Sequence, residues 1–277
     1  MSERPLAGRV AVVCGASRGI GKGIAAELAI AGAHVVVTGR TVEPVEGRPP
    51  GSLSETVQEL EALGGRAEYR RCDAADEASV TALFEGVRAD HGRVDVLVNS
   101  AFDAHSFGAS IGTPFWELPL DIWHRVVDVG TKSAYITTAA AVALMLGSDG
   151  LIVNVSGRGA ARYKYNVAYG VGKAATDRMT SDMALDLQEH GLTVVSLWPG
   201  VTRTELHDRD PERATASFGD LDQLETPRYA GRVVVALATD PARTELSGGH
   251  YWVAELAARY GLTDEHGRSH PLPDVNG

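Results

Sequence analysis

Cysteine is scarce in this chain of 277 residues, which contains only Cys14 and Cys72. Neither belongs to a CxxC motif or a His–Cys cluster, so the sequence offers no disulfide framework and no zinc motif. Both cysteines lie in apolar, strand-like runs, and we expect them to be reduced and buried. The sequence indicates no metal site.

Basic residues and long hydrophobic runs are also few. The formal net charge is -10, and no basic run contradicts it. We therefore expect neither a nucleic-acid partner nor an anionic membrane partner. The longest run of low polarity, Ala134 to Leu146, is too short to cross a bilayer and predicts a buried helix. Because the amino terminus lacks the apolar segment of a signal peptide, we predict a cytoplasmic protein.

What the chain does contain is a regular alternation of apolar strands and amphipathic helical patterns. The predicted strands are Val10–Cys14, His34–Thr38, Arg66–Cys72, Val94–Val98, Leu151–Val155, Leu192–Leu197 and His250–Ala254. This order predicts an α/β fold, a single doubly wound Rossmann domain with a seven-stranded parallel sheet and helices on both faces. Its core would span residues 8–254, followed by an extension over 255–277.

Polar or glycine-rich signals follow six of these strands. In open parallel sheets, ligands bind beyond the carboxyl ends of the strands, at the switch point of the topology. The signals are Gly15–Gly21, Arg40, Asp73, Asn99, Ser156 and Pro199–Gly200. Since they converge on one edge, we expect them to form a single site.

The first signal is a glycine-rich turn between a strand and a helix. Its glycines, Gly15, Gly19 and Gly21, are spaced GxxxGxG instead of GxGxxG. Glycines allow a tight turn and close backbone approach, and the amides at a helix start attract phosphate. We predict that the turn binds the pyrophosphate of a dinucleotide through Gly15, Ser17, Arg18, Gly19, Ile20 and Gly21.

The second strand ends without the acidic residue that a NAD site would place there to bind the ribose hydroxyl. Gly39 and Arg40 stand in that place, and Arg18 lies in the turn. Two guanidinium groups favour a 2′-phosphate through charge-assisted hydrogen bonds. The sequence therefore favours NADP(H) over NAD(H), although both arginines would also suit an exposed surface.

A third group of residues predicts the chemistry. Ser156 follows a strand, and Tyr169 and Lys173 lie four apart, on one face of a predicted helix. A nearby ammonium group is expected to lower the tyrosine pKa from about 10. A hydroxyl, an acidified phenol and an ammonium suit proton transfer to a developing alkoxide. A solvated Tyr–Lys pair without function is the alternative.

With these motifs in place, the chain resembles the short-chain dehydrogenase/reductase family from about Gly8 to Ala254. Ser156 precedes Tyr169 by 13 positions, and Tyr169–Lys173 fits YxxxK. The resemblance implies that Tyr169 is the general acid for carbonyl reduction and that Ser156 polarises the carbonyl. Lys173 would hold the nicotinamide ribose and acidify Tyr169.

The same resemblance assigns further cofactor contacts. Pro199–Thr204 fits the PGxxxT segment, with Pro199, Gly200, Thr202 and Thr204 near the nicotinamide. Asp73 matches an adenine contact, and Asn99-Ser100-Ala101 resembles a variant NNAG motif, which implicates Asn99 and Ala101. Family members commonly form homodimers or homotetramers through two long helices, here Leu118 to Leu146 and Asn166 to His190.

A likeness to one mammalian branch of the family adds a substrate class. It rests on Phe115-Trp116-Glu117, Asn166–Ala175, Ser196–Gly200 and Ala258–Leu262. Such proteins look like NADPH-dependent reductases of steroids and other bulky carbonyls. The mammalian relatives continue into a hydrophobic tail, whereas this chain ends in polar residues, so we do not expect membrane association.

Three departures from the family pattern bear on the mechanism. Cys14 stands where most members have Thr, and Phe102 replaces the last glycine of NNAG. Gly130 falls where many members have the asparagine that holds a proton-relay water. Asp128 or a backbone carbonyl is the alternative holder of that water.

The substrate pocket should be walled by three variable segments, Phe102 to Trp116, Ala160 to Asn166, and a lid-like run from Glu205 to Glu225. They carry aromatic and apolar side chains that suit a bulky carbonyl, although half of them would equally serve the core: Phe102, Phe107, Phe115, Trp116, Tyr163, Tyr165, Leu206 and Phe218. His105 and His207 are expected to face solvent, with a place in the pocket as the alternative. Alternative functions are a catalytically weak NADP(H)-binding sensor or scaffold and an NAD-dependent alcohol dehydrogenase.

Overall fold

The computed structural model describes residues 4–47, 50–103 and 110–272. Seven parallel strands form one sheet, in the order β3-β2-β1-β4-β5-β6-β7. The strands are β1 Val10–Cys14, β2 His34–Gly39, β3 Arg66–Arg71, β4 Val96–Asn99, β5 Leu151–Val155, β6 Thr193–Trp198 and β7 His250–Trp252. The predicted α/β fold with a seven-stranded parallel sheet is therefore confirmed.

Helices cover both faces of this sheet. They are α1 Gly19–Ile30, α2 Leu53–Ala62, α3 Glu77–His91, α4 Asp121–Trp123, α5 Ser133–Met145, α6 Val167–Leu187, α7 Glu205–Arg209, α8 Pro211–Phe218, α9 Pro227–Thr239 and α10 Val253–Tyr260. Alternate residues of β1 serve opposite faces: Ala11 and Val13 belong to the core under α1 and α9, whereas Val12 and Cys14 belong to the core under α3 and α5. The continuous apolar strands follow from this burial on both sides.

The strand order reverses between β1 and β4. The chain moves outward from β1 to β3, returns to the other side of β1, and then continues outward to β7. Cys14, the last residue of β1, pairs in register with Asn99, the last residue of β4. Their carboxyl ends are therefore level, which opens the crevice in which such sheets bind ligands.

The helix predicted from Leu118 to Leu146 is interrupted. After α4, residues His124–Lys132 form a π-helix, which leads into α5. The Ser133 hydroxyl donates to the carbonyls of Val129, at 2.6 Å, and Gly130, at 3.2 Å. These bonds satisfy carbonyl groups at the point where the helix tightens, which the periodicity of the sequence does not reveal.

The seventh strand is shorter than predicted and ends at Trp252. The prediction that it continues to Ala254 is wrong, because Val253 begins helix α10. Val253, Ala254, Leu256 and Ala257 are all buried, and their spacing brings one helical face onto the core. The apolar run at this position is short enough to fit both the periodicity of a strand and that of a helix.

Part of the predicted extension also packs against the rest of the chain. Arg232 of α9 donates to the carbonyls of Thr263 and Asp264, each at 3.0 Å, and the His270 ring packs on Tyr229. Backbone bonds from Arg268 and His266, with side-chain bonds from His270 and Arg268, lower the pKa of Asp264 to about 2 against the opposing effect of its burial. Within the described part of the chain, no helix combines the length and apolarity needed to span a bilayer.

Candidate active site

The glycine turn packs too tightly for any side chain at two positions. A Cβ at Gly15 would lie 2.7 Å from the backbone of Ala101, and a Cβ at Gly21 would lie 2.3 Å from the Gly15 carbonyl oxygen. Gly19 adopts φ +58, a conformation that favours glycine. The turn therefore presents bare backbone at the start of α1, as the pyrophosphate prediction requires.

A carboxylate of the chain itself lies against the helix-start amide of this turn. The Gly19 amide donates to Glu205 Oε2 at 2.8 Å, and Lys22 Nζ lies 3.8 Å from Glu205 Oε1. Thr204, one residue earlier, lies beside Gly19. The residues present thus fit the phosphate group of a dinucleotide, since an anion occupies a helix-start amide beside an ammonium group.

The predicted adenosine contacts lie beside the turn. Arg18 donates to the carbonyls of Pro50 and Gly51, at 2.9 and 2.8 Å, which holds the loop after β2 against the turn. Arg40 is exposed directly after β2. Asp73 accepts from the Ala75 amide at 3.1 Å, which closes the turn after β3. Ser17 and Ile20 are half-buried.

The side chain of Asn99 forms hydrogen bonds in the interior of the fold. Its amide nitrogen donates to Thr138 and Asn154, both at 2.9 Å, and its oxygen accepts from Thr137 at 2.6 Å. These bonds tie β4 to β5 and α5. A cofactor contact by Asn99 therefore falls to its backbone, next to Ala101, whose backbone packs on Gly15.

A buried carboxyl group holds the segment after β6. Glu225 is 5% exposed, and its Oε2 accepts from the Gly200 amide at 2.9 Å. Burial raises the pKa of Glu225 to about 7, although the Gly200 amide opposes this effect. Thr202 forms a backbone bridge with Glu225 and donates its hydroxyl to the Gly200 carbonyl at 3.2 Å. Glu225 and Thr202 thus hold the Pro199–Gly200 segment in place through their hydrogen bonds to Gly200.

The start of α6 positions the tyrosine. Asn166 caps this helix, and its side-chain oxygen accepts from the Tyr169 amide at 2.9 Å. The Tyr169 ring lies against two glycines: its hydroxyl would be 2.9 Å from a Cβ at Gly157, and its Cε1 would be 2.4 Å from a Cβ at Gly159. Tyr169 therefore stands directly beside the segment that begins with Ser156.

Ser156 and Lys173 are in direct contact. The Ser156 hydroxyl donates to the Lys173 carbonyl at 3.2 Å, and Lys173 Nζ donates to the Val155 carbonyl at 3.1 Å. Nζ also lies 5.8 Å from the centre of the Tyr169 ring. The structure thus brings Ser156, Tyr169 and Lys173 together at the end of β5.

The expected lowering of the Tyr169 pKa is not found. Burial, with smaller effects from Tyr165 and Asp177, raises the pKa of Tyr169. Burial lowers the pKa of Lys173 to about 8, although Asp177 opposes it. The prediction fails because both groups lose water and because Nζ bonds to a carbonyl of β5. The phenol is consequently protonated at neutral pH.

Gly130 lies in the π-helix, next to Phe102. A Cβ at Gly130 would be 3.7 Å from the Phe102 ring, and Lys173 Nζ lies 5.0 Å from the centre of that ring. The carboxylate of Asp128, the alternative holder of a relay water, is paired with His124 at 2.8 Å. A cavity of about 10 Å³, enough for about one water, is lined by Phe102, Val126, Gly130, Thr131, Tyr169, Gly172, Lys173 and Thr176.

The aromatic residues predicted for the substrate pocket divide into two groups. Phe102 and Tyr165 meet the Tyr169 ring edge-on, with centroid distances of 6.2 and 5.2 Å. Phe115, Trp116 and Tyr163 are exposed. In the predicted lid, Leu206 is half-buried and Phe218 packs on His207, which is half-buried instead of solvent-facing. His105 and Phe107 lie outside the described residues.

Comparison with known proteins defines the class. Residues 9–214 match the family model of the short chain dehydrogenases. The chain belongs to the short-chain dehydrogenase/reductase family, as its motifs indicated.

Individual relatives agree with this assignment. The chain is 42% identical to the mouse protein "Dehydrogenase/reductase SDR family member 1", over 98% of this chain and 87% of that protein. It is 34% identical to a "3beta-hydroxysteroid dehydrogenase" of Mediterraneibacter gnavus, over 73% and 68%. A crystal structure of a metagenomic short-chain oxidoreductase in complex with NADP superimposes with a TM-score of 0.70 at 30% identity, over 90% of this chain and 97% of that chain.

Sequence reasoning did not identify several residues that shape the site. Asn166 had a usable signal, because an asparagine three residues before Tyr169 fits an N-cap. Gly159 and the carboxylates Glu205 and Glu225 had none. Their contacts join segments that are far apart in the sequence, and no spacing rule connects them.

Proposed function

We propose that the protein is an NADP(H)-dependent reductase of bulky, apolar carbonyl compounds, of the carbonyl reductase type. The observation that carries this proposal is the convergence of Ser156, Tyr169 and Lys173 at the end of β5, at the same edge of the sheet as the glycine turn. Membership in a family of oxidoreductases supports it.

In this proposal the cofactor, when bound, supplies the hydride, and the protein handles the proton. Tyr169 is the general acid: its phenol is protonated at neutral pH and would donate its proton to the carbonyl oxygen, although burial, which raises its pKa, makes it a weaker acid than a free phenol. Ser156 would donate a hydrogen bond to the same oxygen, and Lys173 would hold the nicotinamide ribose. The glycine turn would bind the pyrophosphate, and Pro199, Gly200, Thr202 and Thr204 would border the nicotinamide.

The preference for NADP(H) rests on charge at the end of β2. Arg40 stands where a NAD site has an acidic residue, and Arg18 lies in the glycine turn, where its guanidinium group donates to the carbonyls of Pro50 and Gly51. Two guanidinium groups stabilise the 2′-phosphate of NADP(H). The ribose 2′-hydroxyl of NAD(H) would find no carboxylate there to accept its hydrogen bond. The NADP in the metagenomic relative is consistent with this preference.

The substrate class rests on the residues around Tyr169. Phe102 and Tyr165 flank its ring and give the reacting position an apolar surround. The name of the hydroxysteroid dehydrogenase relative points to polycyclic substrates of the same kind. Assembly as a homodimer or homotetramer, the cytoplasmic location and the closing of residues 205–225 as a lid stay predictions.

The test is a panel of cyclic and polycyclic ketones, with matched secondary alcohols, assayed through the absorbance of the reduced nicotinamide. The Tyr169→Phe variant should lose at least about 100-fold in kcat, because general acid catalysis contributes about that much. NADPH binding, followed by fluorescence titration, should persist in the variant. Tight NADPH binding without turnover of any ketone or alcohol by the native protein would instead support a sensor or scaffold.

A further inference from the structure

A second group of polar residues lies at the opposite edge of the sheet. His34 begins β2, Glu68 lies within β3, and His91 ends α3. In the parallel register, His34 pairs with Arg66 and Val36 pairs with Glu68, so both side chains point to the face that α3 covers. Helix α3 ends over them. The glycine turn lies at the opposite end of the sheet, where the parallel strands end.

The three side chains form a compact set of metal-ligand atoms. One nitrogen from each histidine and one carboxylate oxygen lie within 4.8 Å of one another. His91 Nε2 is 3.1 Å from Glu68 Oε1, and His34 Nε2 is 3.9 Å from Glu68 Oε2. Two ligands about 2.0–2.1 Å from a tetrahedral zinc ion lie about 3.3 Å apart. The His34–Glu68 pair would have to close by about 0.6 Å and the widest pair of the set by at most about 1.5 Å to reach that value, which rotation of the side chains can supply.

One of these atoms, His34 Nε2, is buried and has no hydrogen-bond partner among the residues that the structure describes. The His34 and His91 rings lie only 4.6 Å apart, tilted by 51°. Burying an imidazole nitrogen without a partner costs free energy unless something binds it.

We propose that His34, Glu68 and His91 bind one divalent cation of the zinc class, Zn²⁺ or Co²⁺, at the amino-terminal edge of the sheet. Imidazole and carboxylate ligands suit such ions, and a fourth position would be open to water. The ion would tie the edge strand β3 to β2 and to the end of α3. It would therefore serve stability, at a distance from the candidate active site.

Neighbouring charges limit the affinity without removing the ligands. Arg70 donates to Glu68 Oε1 at 3.0 Å and is paired with Asp90, and Arg66 lies nearby in β3. Glu68 Oε2, the oxygen nearer to His34, is therefore the atom that would bind the ion, and His91 Nε2 would exchange its present bond to Oε1 for the ion. The surrounding charges of Glu68 and Asp90 offset those of Arg66 and Arg70.

The experiment uses the full chain without an affinity tag, stripped with a chelator. Zn²⁺ is titrated by calorimetry at neutral pH, and Co²⁺ binding is followed by visible absorption. We expect one ion per chain and a rise in melting temperature with added Zn²⁺. His91→Gln and Glu68→Gln should each weaken binding by at least about tenfold. Acidification should release the ion as the imidazoles become protonated.

The matched control is His124→Gln, which removes an exposed histidine paired with Asp128. It should leave the affinity and stoichiometry unchanged. The proposal is overturned if the native chain shows no saturable binding, or if the two cluster variants bind as tightly as the native chain. It is also overturned if His124→Gln abolishes binding. If His91→Gln does not fold, His34→Gln gives the same comparison from β2.

Discussion

The two walls of the candidate active site are held in place by different forces. On one wall, the glycine turn and the segment from Ser156 to Lys173 pack backbone against backbone or ring, with no space for a Cβ at Gly15, Gly21 or Gly159. On the other wall, the segment after β6 is held by two carboxylates, Glu205 on the Gly19 amide and Glu225 on the Gly200 amide. The packed wall should respond to volume, and the carboxylate wall to pH and to competing anions.

The largest effect should come from filling space on the packed wall. In Gly159→Ala, the new Cβ would lie 2.4 Å from Tyr169 Cε1, so the ring has to move. Because misplacement of a reacting group by about 1 Å costs about 100-fold, kcat should fall by about that factor. NADPH affinity should be nearly unchanged in fluorescence titration.

Gly170→Ala is the control for this substitution. It lies next to Tyr169 in α6, and its Cβ would meet the Gly159 oxygen at an ordinary 3.5 Å. Its kcat should stay within about twofold of the native value. Equal rates for the two alanine variants would show that Gly159 does not position the tyrosine.

Next in size is the effect of charge at the adenosine end. Replacing Arg18 and Arg40 together by Ala should raise the KM for NADPH by at least about tenfold, because two charge-assisted bonds to a 2′-phosphate are lost. The KM for NADH should change little. Steady-state kinetics with both cofactors measures this difference, and Arg88→Ala, on the exposed side of α3, is the control. Equal losses with both cofactors would contradict the NADP(H) preference.

On the carboxylate wall, Glu225 should make stability depend on pH. Its pKa is about 7 in the folded protein against 4.5 as the ordinary value. The folded state therefore favours the protonated form, and stability is lost as pH rises from the unfolded value through about 7. Glu225→Gln keeps the acceptor for Gly200 and should be more stable than the native protein above pH 7, by roughly 2–3 kcal/mol.

Denaturant unfolding at pH values on both sides of this range measures the difference. Below the unfolded value, near pH 4, the two proteins should be equally stable, because the carboxyl group is then protonated in both states. Glu212→Gln, an exposed substitution on α8, controls for the loss of one negative charge. A Glu225→Gln variant that is less stable than the native protein at pH 8 would contradict the expectation that the ionised carboxylate of Glu225 destabilises the folded state.

The smallest effect should come from Glu205. Its carboxylate competes with a phosphate for the Gly19 amide, so Glu205→Ala should bind NADPH several-fold more tightly, by about the energy of one charge at a helix start. Fluorescence titration measures the dissociation constant. Asp208→Asn, on the same short helix but paired with Arg203, should leave it unchanged. Weaker binding by Glu205→Ala would mean that the carboxylate supports the site instead of competing with it.

The packed wall was largely predictable from the sequence. The glycine spacing after β1 and the Ser156, Tyr169 and Lys173 pattern are short-range signals, because a strand end, a tight turn and one helical face place these residues. The seven strands were predicted because apolar runs alternate with helical patterns. The start of β4, the end of β7, the π-helix and the short helices α7 and α8 were missed. At the end of β7, the periodicities of a strand and of a helix fit the same residues.

The carboxylate wall and the acid–base properties of the site were not predictable in this way. The sequence pattern suggested that Lys173 would acidify Tyr169, but burial dominates both groups and reverses the direction. Burial depends on everything that packs around a side chain, and spacing along one helix does not measure it.

The amino-acid sequence by itself determined the alternation of strands and helices, the family and the identity of the groups that do chemistry. These features depend on local periodicity and short motifs. Only the tertiary structure decided that Glu205 meets the phosphate turn, that Glu225 supports Gly200, and that His34, Glu68 and His91 meet at the far edge. Such contacts join distant segments, and their energies depend on solvent exclusion, which arises only when the chain has folded.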